Sequence, residues 1–506
     1  MTGAVRNLGD VVGAHSPRDQ LAFIGLDADL GESLYRFDQL DELASAVARG
    51  LSACGYAHGD RIALLAANSV EFIAVVLGIM RAGLVAVPVN HRFPRALIEH
   101  VVHDSGARLL FCDAAHAALA PANVPQVSLA RGARQGLDQF IDPGEFASFQ
   151  PQSDEPAMIL YTSGSTGKPK GVVLSHAAHL WVVRTRLTAT PLGQERALIA
   201  APLYHMNALA LALLTLASGA TAVLLPQFTA SRYIDAIERY RCTWLTAVPP
   251  MIAMMLREQA RLAQADLGSV RVVRMGSAPV SASLLEQIHH LLPNARVINA
   301  YGTTEGGPVV FGPHPKGLPN PPLSVGHAHP QVQLRLRDET GNEADDGVLE
   351  LKSPGLMSGY HNRPDLRAPF TADGFYITGD VFRRDRDGFY TFIGRRDDMF
   401  VSGGENIYPG EIEKLLERHP AVQQACVVPV ADDIKGFKPM AFVVLSEGAQ
   451  ASEAQIKAFT LEHAPAYQHP RRVWFVDALP LATTHKIDRP ALLQEANRRL
   501  QAGGSQ

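Results

Sequence analysis

The first part of the chain alternates between two hydrophobic patterns. Three segments place apolar residues at helical spacing and end near a glycine: 38–53, 71–83 and 96–106. Short apolar runs follow these segments and predict strands: 61–66, 84–90 and 108–112. Strands that alternate with helices form parallel sheets covered by helices, and such sheets bind ligands at the carboxyl ends of their strands. The pattern therefore predicts an α/β fold.

The alternation continues to about residue 310 and includes one long apolar stretch. Residues 208–226 contain no charged side chain. Ser218 and Gly219 divide the stretch into a helical half and a strand-like half that ends at Pro226. We therefore predict a buried helix, turn and strand here, and no membrane span.

The pattern changes in the last third of the chain. Between 320 and 395, short alternating runs separated by turn residues predict an antiparallel, β-rich subdomain. A further segment of about 110 residues has its own helices and strands, which is enough for a small α+β domain. We predict a large N-terminal domain over 1–395, a hinge at 396–398 and a small, mobile C-terminal domain over 399–506.

Composition narrows the class of protein. The 506 residues are 47% apolar and carry 46 Lys and Arg against 50 Asp and Glu, as in a globular enzyme with no electrostatic preference for nucleic acid. The four cysteines form no CxxC pair, which argues against a disulfide framework and fits a reducing cytoplasm. The N-terminus lacks the apolar core of a signal peptide, so we expect a cytoplasmic protein, monomeric or homodimeric.

The most informative segment is YTSGSTGKPKG at 161–171, which follows an apolar run. Hydroxyl groups, glycines and lysines in this density suit a polyphosphate, because backbone N–H groups and cations can surround it. The segment is not a Walker A loop, since Gly164 and Gly167 are separated by two residues and Lys168 is followed by Pro169. A flexible connector is the alternative interpretation of the loop taken alone.

This segment resembles the phosphate-loop signature of the adenylate-forming superfamily of acyl-CoA synthetases, nonribosomal adenylation domains and luciferases. Further segments resemble that family in the same order: PLYH at 202–205, GSAP at 276–279, NAYGTTE at 299–305, YITGD at 376–380, GRRDD at 394–398, SGGENIYPGEIE at 402–413, and Lys486. The resemblance extends from about residue 20 to about residue 498. It implies the family's fold, with a large N-terminal domain and a small mobile C-terminal domain.

The resemblance also implies an ATP site and Mg²⁺. Thr304 is expected at the α-phosphate and Glu305 at the metal, because a carboxylate beside phosphate needs a cation between them. Asp380 is expected to bind the ribose with Arg395 as its partner, and Tyr301 to stack on adenine. The complete set of expected ATP-binding residues is Thr162, Ser163, Gly164, Ser165, Thr166, Gly167, Lys170, Ser277, Ala278, Asn299, Tyr301, Asp380 and Arg395.

By the same resemblance, the small domain serves two half-reactions. Lys486 is expected to bridge the carboxylate and the α-phosphate during adenylation. Rotation about Asp397 would then replace it with the face that carries Gly403 and Gly404, past which the pantetheine arm of CoA could reach the acyl-adenylate. Arg471 and Arg472 are candidate contacts for CoA phosphates, although ordinary surface charge is the alternative. The family usually has Gly before this lysine, whereas this chain has His485.

The acyl pocket in relatives is built from residues that match His205, Met206, Asn207, Ala300, Gly302 and Gly307 here, with His205 also a catalytic candidate. No Asp lies between 200 and 215, where amino-acid-activating relatives place one to pair with the substrate ammonium. The missing Asp argues against an amino acid as substrate. PLYH, YGTTE and GENIYP most resemble the aryl-acid ligases of the chlorobenzoate and coumarate type. The resemblance therefore implies an ATP-dependent acid–CoA ligase that acts through an acyl-AMP, with an aromatic or cyclic acid as substrate. The alternatives are a medium-chain fatty acid–CoA ligase and an adenylation enzyme that loads a carrier protein.

Overall fold

The computed structural model describes residues 5–13, 15–27, 31–132, 136–163, 168–189, 192–363, 369–402, 405–482 and 486–503. A first sheet of seven strands is parallel except at one edge. Its strands, in spatial order, are β13 (Arg296–Asn299), β12 (Val272–Met275), β11 (Trp244–Ala247), β9 (Arg196–Ile199), β10 (Thr221–Leu224), β1 (Leu21–Leu26) and β2 (Glu32–Arg36).

A second sheet of seven strands packs beside the first. Its strands, in spatial order, are β18 (Gly359–Tyr360), β8 (Pro169–Ser175), β7 (Pro156–Ser163), β4 (Val85–Pro88), β3 (Arg61–Leu65), β5 (Leu109–Cys112) and β6 (Gln126–Ser128). Parallel pairing was expected throughout, but β1 with β2 and β7 with β8 pair antiparallel. Each of these pairs is joined by a connection of five residues, and a parallel crossover needs about a dozen. The predicted phosphate loop therefore connects two antiparallel strands.

The helices of this part cover the two sheets. They are α1 (Phe37–Ala53), α2 (Val70–Arg81), α3 (Arg95–Ser105), α4 (Leu137–Phe140), α5 (His176–Ala189), α6 (Met206–Ala217), α7 (Ala230–Tyr240), α8 (Pro249–Leu256), α9 (Gln259–Leu262) and α10 (Ala282–Leu291). Ser69 begins α2 by accepting a hydrogen bond from the Phe72 N–H at 3.1 Å. Every residue of α2 except Glu71 is buried, as expected for a helix inside the core.

The predicted helix, turn and strand at 208–226 correspond to α6 and β10. Nine residues of α6 are buried, and β10 lies between β9 and β1 in the first sheet. Among the residues that the structure describes, no helix is long and apolar enough to cross a membrane.

The predicted antiparallel region forms a third sheet. Its six strands, in spatial order, are β14 (Phe311–Gly312), β15 (Ser324–Ala328), β20 (Phe389–Arg395), β19 (Tyr376–Arg384), β17 (Asp346–Lys352) and β16 (Gln333–Arg337). All of its strand pairs are antiparallel. A short 3-10 helix, Arg396–Asp398, follows β20 at the predicted hinge.

The C-terminal part has a sheet of its own. The strands are β22 (Glu405–Ile407), β21 (Phe400–Ser402), β24 (Gly436–Leu445), β23 (Val422–Asp432) and β25 (Arg472–Phe475), and the helices are α11 (Pro409–Leu416), α12 (Glu453–His463) and α13 (Arg489–Gly503). Two separate apolar clusters cover its two faces, which is the arrangement of an independent α+β unit. The exact domain limits stay a prediction.

Candidate active site

The chain that follows β13 makes a tight turn around two of the predicted catalytic residues. The Gly306 N–H donates a hydrogen bond to Thr303 Oγ1 at 2.8 Å. Gly307 has a φ of 80°, which a residue with a side chain rarely adopts. The turn therefore fixes the backbone on both sides of Thr304 and Glu305.

Asp380 lies at the centre of a buried polar cluster. It stands opposite Arg395 in the antiparallel pair of β19 and β20, and its side chain is buried. Its Oδ1 accepts a hydrogen bond from Arg395 Nη1 at 3.1 Å, and its Oδ2 accepts one from the Tyr301 hydroxyl. Burial raises the pKa of Asp380, whereas Arg395, the Tyr301 hydroxyl and the charge of Lys486 lower it. The two residues predicted for the ribose are thus in contact with each other and with the residue predicted for adenine.

Lys486 reaches the same cluster from the C-terminal part. The Ala482 N–H donates to the Lys486 carbonyl at 2.7 Å, and residues 481 and 487 form an antiparallel bridge around it. Partial desolvation lowers the pKa of the Lys486 ammonium group, while the charges of Asp380 and Glu305 raise it. The residue as a whole is exposed. His485, the departure from the family pattern, lies outside the described residues.

A second chain of contacts joins Glu305 to the phosphate-loop strands. The Tyr360 hydroxyl donates to Glu305 Oε1 at 3.1 Å. The Lys170 amine lies 5.7 Å above the centre of the Tyr360 ring. Gly164–Gly167 and the side chain of Ser163 lie outside the described residues, and Thr162 is partly buried at the end of β7. Lys170 of the predicted phosphate site is therefore connected through Tyr360 to Glu305, the predicted metal ligand.

The predicted adenine contacts lie at the ends of β12 and β13. Asn299 Nδ2 donates to the Leu323 carbonyl at 2.9 Å, which leaves the side-chain oxygen of Asn299 as the acceptor for an amino group. Ser277 has a φ of 66°, uncommon for a residue with a side chain. Ala278 follows it and is partly buried.

The predicted acyl-pocket residues surround the start of α6. His205 is the N-cap residue of α6 and contacts Tyr204 edge to face. Met206 Sδ lies 3.3 Å from His179 Nε2. Asn207 Oδ1 accepts a hydrogen bond from Arg274 Nη1 at 3.4 Å. The other members of the predicted set lie on or beside the turn after β13: Ala300, Gly302 and Gly307.

Arg274 was not among the predicted site residues. It is a buried arginine inside a strand of otherwise apolar residues, Val272–Met275. A single charged residue in an apolar run is the sequence signal that could have identified it.

The predicted CoA contacts are only partly described. Gly403 and Gly404 lie outside the described residues. Arg471 Nη1 lies 2.9 Å from His469 Nδ1, and Arg472 lies 3.7 Å from a Glu453 carboxylate oxygen. These contacts are those expected of ordinary surface charge, and a role in binding CoA stays a prediction.

The two parts of the chain touch on both sides of the predicted hinge. Asp397 is the middle residue of the 3-10 helix, and its carboxylate lies 3.7 Å from Arg395 Nη2. The Lys414 amine donates to the Phe392 carbonyl at 2.5 Å. Arg257 Nη2 donates to Gln424 Oε1 at 3.0 Å. These contacts hold the C-terminal part in the position that places Lys486 near Asp380.

Glu417, in the C-terminal part, lies at the contact with the N-terminal part and makes stability depend on pH. Its carboxylate accepts a hydrogen bond from the Ala425 N–H at 3.2 Å. It accepts a second hydrogen bond from the side chain of Ser281, in the N-terminal part. Burial raises the pKa of Glu417 to about 8, from 4.5 in the unfolded chain. Between these values the folded state binds a proton that the unfolded state does not, so this group's contribution to the free energy of unfolding falls as pH rises.

We therefore expect Glu417→Gln to become more stable relative to the wild type as pH rises from 5 to 8. The difference in the free energy of unfolding between the variant and the wild type should change by up to about 1.4 kcal/mol per pH unit and level off above pH 8. Urea unfolding at several pH values measures this difference. The exposed Glu462→Gln is the matched control and should show no such trend. A difference that does not depend on pH would contradict the raised pKa.

Two family models match different parts of the chain. A family model described as AMP-binding enzyme matches residues 12–361, and one described as AMP-binding enzyme C-terminal domain matches residues 411–486. Feruloyl-CoA synthase of Amycolatopsis sp is 33% identical over 462 residues, which cover 90% of this chain and 93% of that protein. Indoleacetate–CoA ligase of Aromatoleum aromaticum is 31% identical over 481 residues, with 90% and 92% covered. The solved anthranilate CoA ligase AuaEII in complex with anthranoyl-AMP matches with a TM-score of 0.88 and 26% identity, over 97% of both chains.

Proposed function

Because the chain belongs to the AMP-binding enzyme family and is an AMP-forming acid–thiol ligase, we propose that it joins an aromatic or cyclic carboxylic acid to CoA through an acyl-AMP. The predicted family and fold class are thereby confirmed. The observation that carries the proposal is the cluster of Asp380, Tyr301 and Arg395 with Lys486 close enough to feel the charge of Asp380. It unites the predicted ribose site with the lysine predicted for adenylation.

In the first half-reaction, a carboxylate oxygen of the acid attacks the α-phosphorus of ATP, and the bond to pyrophosphate breaks. The barrier is electrostatic, because negative charge builds up on the transferred group and the leaving group. Lys486 supplies a positive charge between the carboxylate and the α-phosphate. Asp380 and Arg395 hold the ribose, and Thr304 donates to the α-phosphate.

Glu305 is the residue that would hold Mg²⁺. Mg²⁺ is usually bound by one or two carboxylates together with phosphate oxygens and water, so one carboxylate is sufficient. No group of three or more His, Cys, Asp or Glu suited to a metal occurs among the residues that the structure describes. When bound with ATP, the metal neutralises phosphate charge. Tyr360 orients the Glu305 carboxylate through its hydroxyl.

In the second half-reaction, the sulfur of CoA attacks the acyl carbon and AMP leaves. This step needs Lys486 to move away and the chain around Gly403 and Gly404 to approach, with the motion taking place at Asp397. The aromatic or cyclic preference is supported by the small residues predicted along one wall of the pocket. It is also supported by the acids named for the relatives: feruloyl, indoleacetate and anthranilate.

The test is CoA-dependent AMP release with a panel of benzoates, cinnamates, cyclic acids and fatty acids of graded length. We expect the highest kcat/KM with a ring-containing acid. Higher values throughout the fatty-acid series would replace the aromatic proposal with the fatty-acid alternative. ATP–pyrophosphate exchange without CoA-dependent release of AMP would instead favour the loading of a carrier protein.

A further inference from the structure

Arg274 is a buried arginine for which the described part of the chain provides no counter-charge. The residue is buried, with 9% of its surface exposed. Its recorded hydrogen bond is the one to Asn207, and no carboxylate in the described ranges forms an ion pair with it. A buried charge without a partner costs several kcal/mol, and arginine does not lose its proton readily.

A second arginine lies close enough to increase that cost. Arg186, on α5, is partly buried and likewise forms no recorded ion pair within the described chain. Burial and then the charge of Arg186 lower the pKa of Arg274. Two cations that repel each other would both be stabilised by one anion between them.

Asn207, beside Arg274, offers a further hydrogen-bond donor. Asn207 Oδ1 faces Arg274, so its Nδ2 is directed elsewhere, and this buried atom has no hydrogen-bond partner in the described structure. Asn207 lies in the first turn of α6, where the helix dipole favours an anion, and no side chain caps this end. The Arg274 guanidinium and Asn207 Nδ2 are both hydrogen-bond donors, and donors are complementary to an anionic group.

Arg274 lies beside residues predicted to form the acyl pocket, Asn207 among them. Arg274 lies in β12 one residue before the strand ends at Met275, and the GSAP segment at 276–279 follows directly. Ile298 is the register partner of Arg274 in β13, and Ala300 of the predicted pocket wall follows two residues later. Arg274 is therefore paired with the strand that leads into the predicted pocket wall.

We infer that the acid substrate carries a second anionic group, a carboxylate or a sulfonate, which Arg274, Arg186 and Asn207 bind at the floor of the acyl pocket. This inference rests on the proposed ligase function, and it narrows the substrate to a ring-containing acid with an anion at each end. The reacting carboxylate lies near Lys486 and Thr304, and the second anion fixes the opposite end of the molecule.

The experiment compares acids that differ only in the second anion. The pairs are benzoate with isophthalate, terephthalate or 4-sulfobenzoate, and cyclohexanecarboxylate with cyclohexane-1,4-dicarboxylate. We expect the best dianionic acid to exceed its monoanionic partner about 100-fold in kcat/KM, as for a buried charge pair. The sulfonate and carboxylate members of the benzoate set distinguish the two kinds of anion.

Arg274→Met should remove this preference, lowering kcat/KM about 100-fold for the dianionic acid and less than about threefold for the monoanionic acid. Arg274→Lys, which keeps the charge but not the guanidinium fork, should retain part of the preference. Arg271→Met is the matched control, because Arg271 precedes the same strand, is paired with Glu195 at 2.9 Å and has a side chain that is 54% exposed. It should leave the preference unchanged.

The outcomes separate the two proposals. Equal use of both members of every pair, unaffected by Arg274→Met, overturns the second-anion site and leaves the ligase function standing. Failure of every acid to release AMP contradicts the ligase function. In that case, thermal unfolding in the presence of each acid tests the anion site independently of catalysis. A rise in Tm with a dianionic acid, smaller with its monoanionic partner and abolished in Arg274→Met, supports the site, and no such rise overturns it.

Discussion

Lys486→Ala should lower the rate of acyl-AMP formation about 10²–10³-fold, the usual effect of removing one electrostatic stabiliser of a transition state. The same variant should convert supplied acyl-AMP and CoA to acyl-CoA at close to the wild-type rate. The reason is positional: Lys486 lies within the electrostatic influence of Asp380 and Glu305 only while the C-terminal part occupies the described position. The proposed second half-reaction requires that part to move away.

ATP–pyrophosphate exchange measures the first half-reaction, and acyl-CoA formation from synthetic acyl-AMP measures the second. Lys435→Ala is a suitable control, because Lys435 is an exposed lysine of the same domain. Equal losses in both half-reactions of Lys486→Ala would show that one arrangement of the domains serves both steps.

Asp397→Pro should produce the opposite pattern. Proline fixes φ near −65°, a value compatible with the 3-10 helix in which Asp397 lies. The described arrangement, and with it adenylation, should therefore persist within about threefold. Acyl-CoA formation should fall about 10-fold to 100-fold, because the hinge must change its backbone angles for the second step.

Asp397→Ala separates backbone restriction from loss of the side chain. The carboxylate of Asp397 is largely exposed and lies 3.7 Å from Arg395, so its removal should affect both half-reactions only slightly. If Asp397→Ala loses acyl-CoA formation as strongly as Asp397→Pro, the side chain rather than the backbone is responsible. If Asp397→Pro retains full acyl-CoA formation, the motion does not occur at this residue.

Local pattern was sufficient to predict most helices and strands, and ordered motifs were sufficient to predict that Asp380 and Arg395 meet. Those features depend on spacing along the chain. The hydrogen bond from the Tyr301 hydroxyl to Asp380 depends on how the turn after β13 approaches the third sheet. No spacing rule gives that distance, so Tyr301 was expected only as a flat surface for adenine.

Arg274 and Glu417 were missed for a related reason. An arginine or a glutamate acquires an unusual environment from elements distant in sequence: α5 and α6 for Arg274, and the loop at Ser281 for Glu417. Burial of a charge is a tertiary property. The antiparallel pairing of β7 with β8, in contrast, could have been deduced from the length of the loop between them.

The strand order of the first sheet also bears on how the chain folds during synthesis. β1 pairs with β10, and the Thr221 hydroxyl donates to the Leu21 carbonyl at 2.8 Å across 200 positions of sequence. The apolar strand at Leu21–Leu26 must therefore stay unpaired on this side until about 200 further residues have been translated. During that interval its exposed edge is open to association with other chains. The strands of the C-terminal sheet lie within one continuous segment of sequence, so that sheet can form as soon as the segment leaves the ribosome.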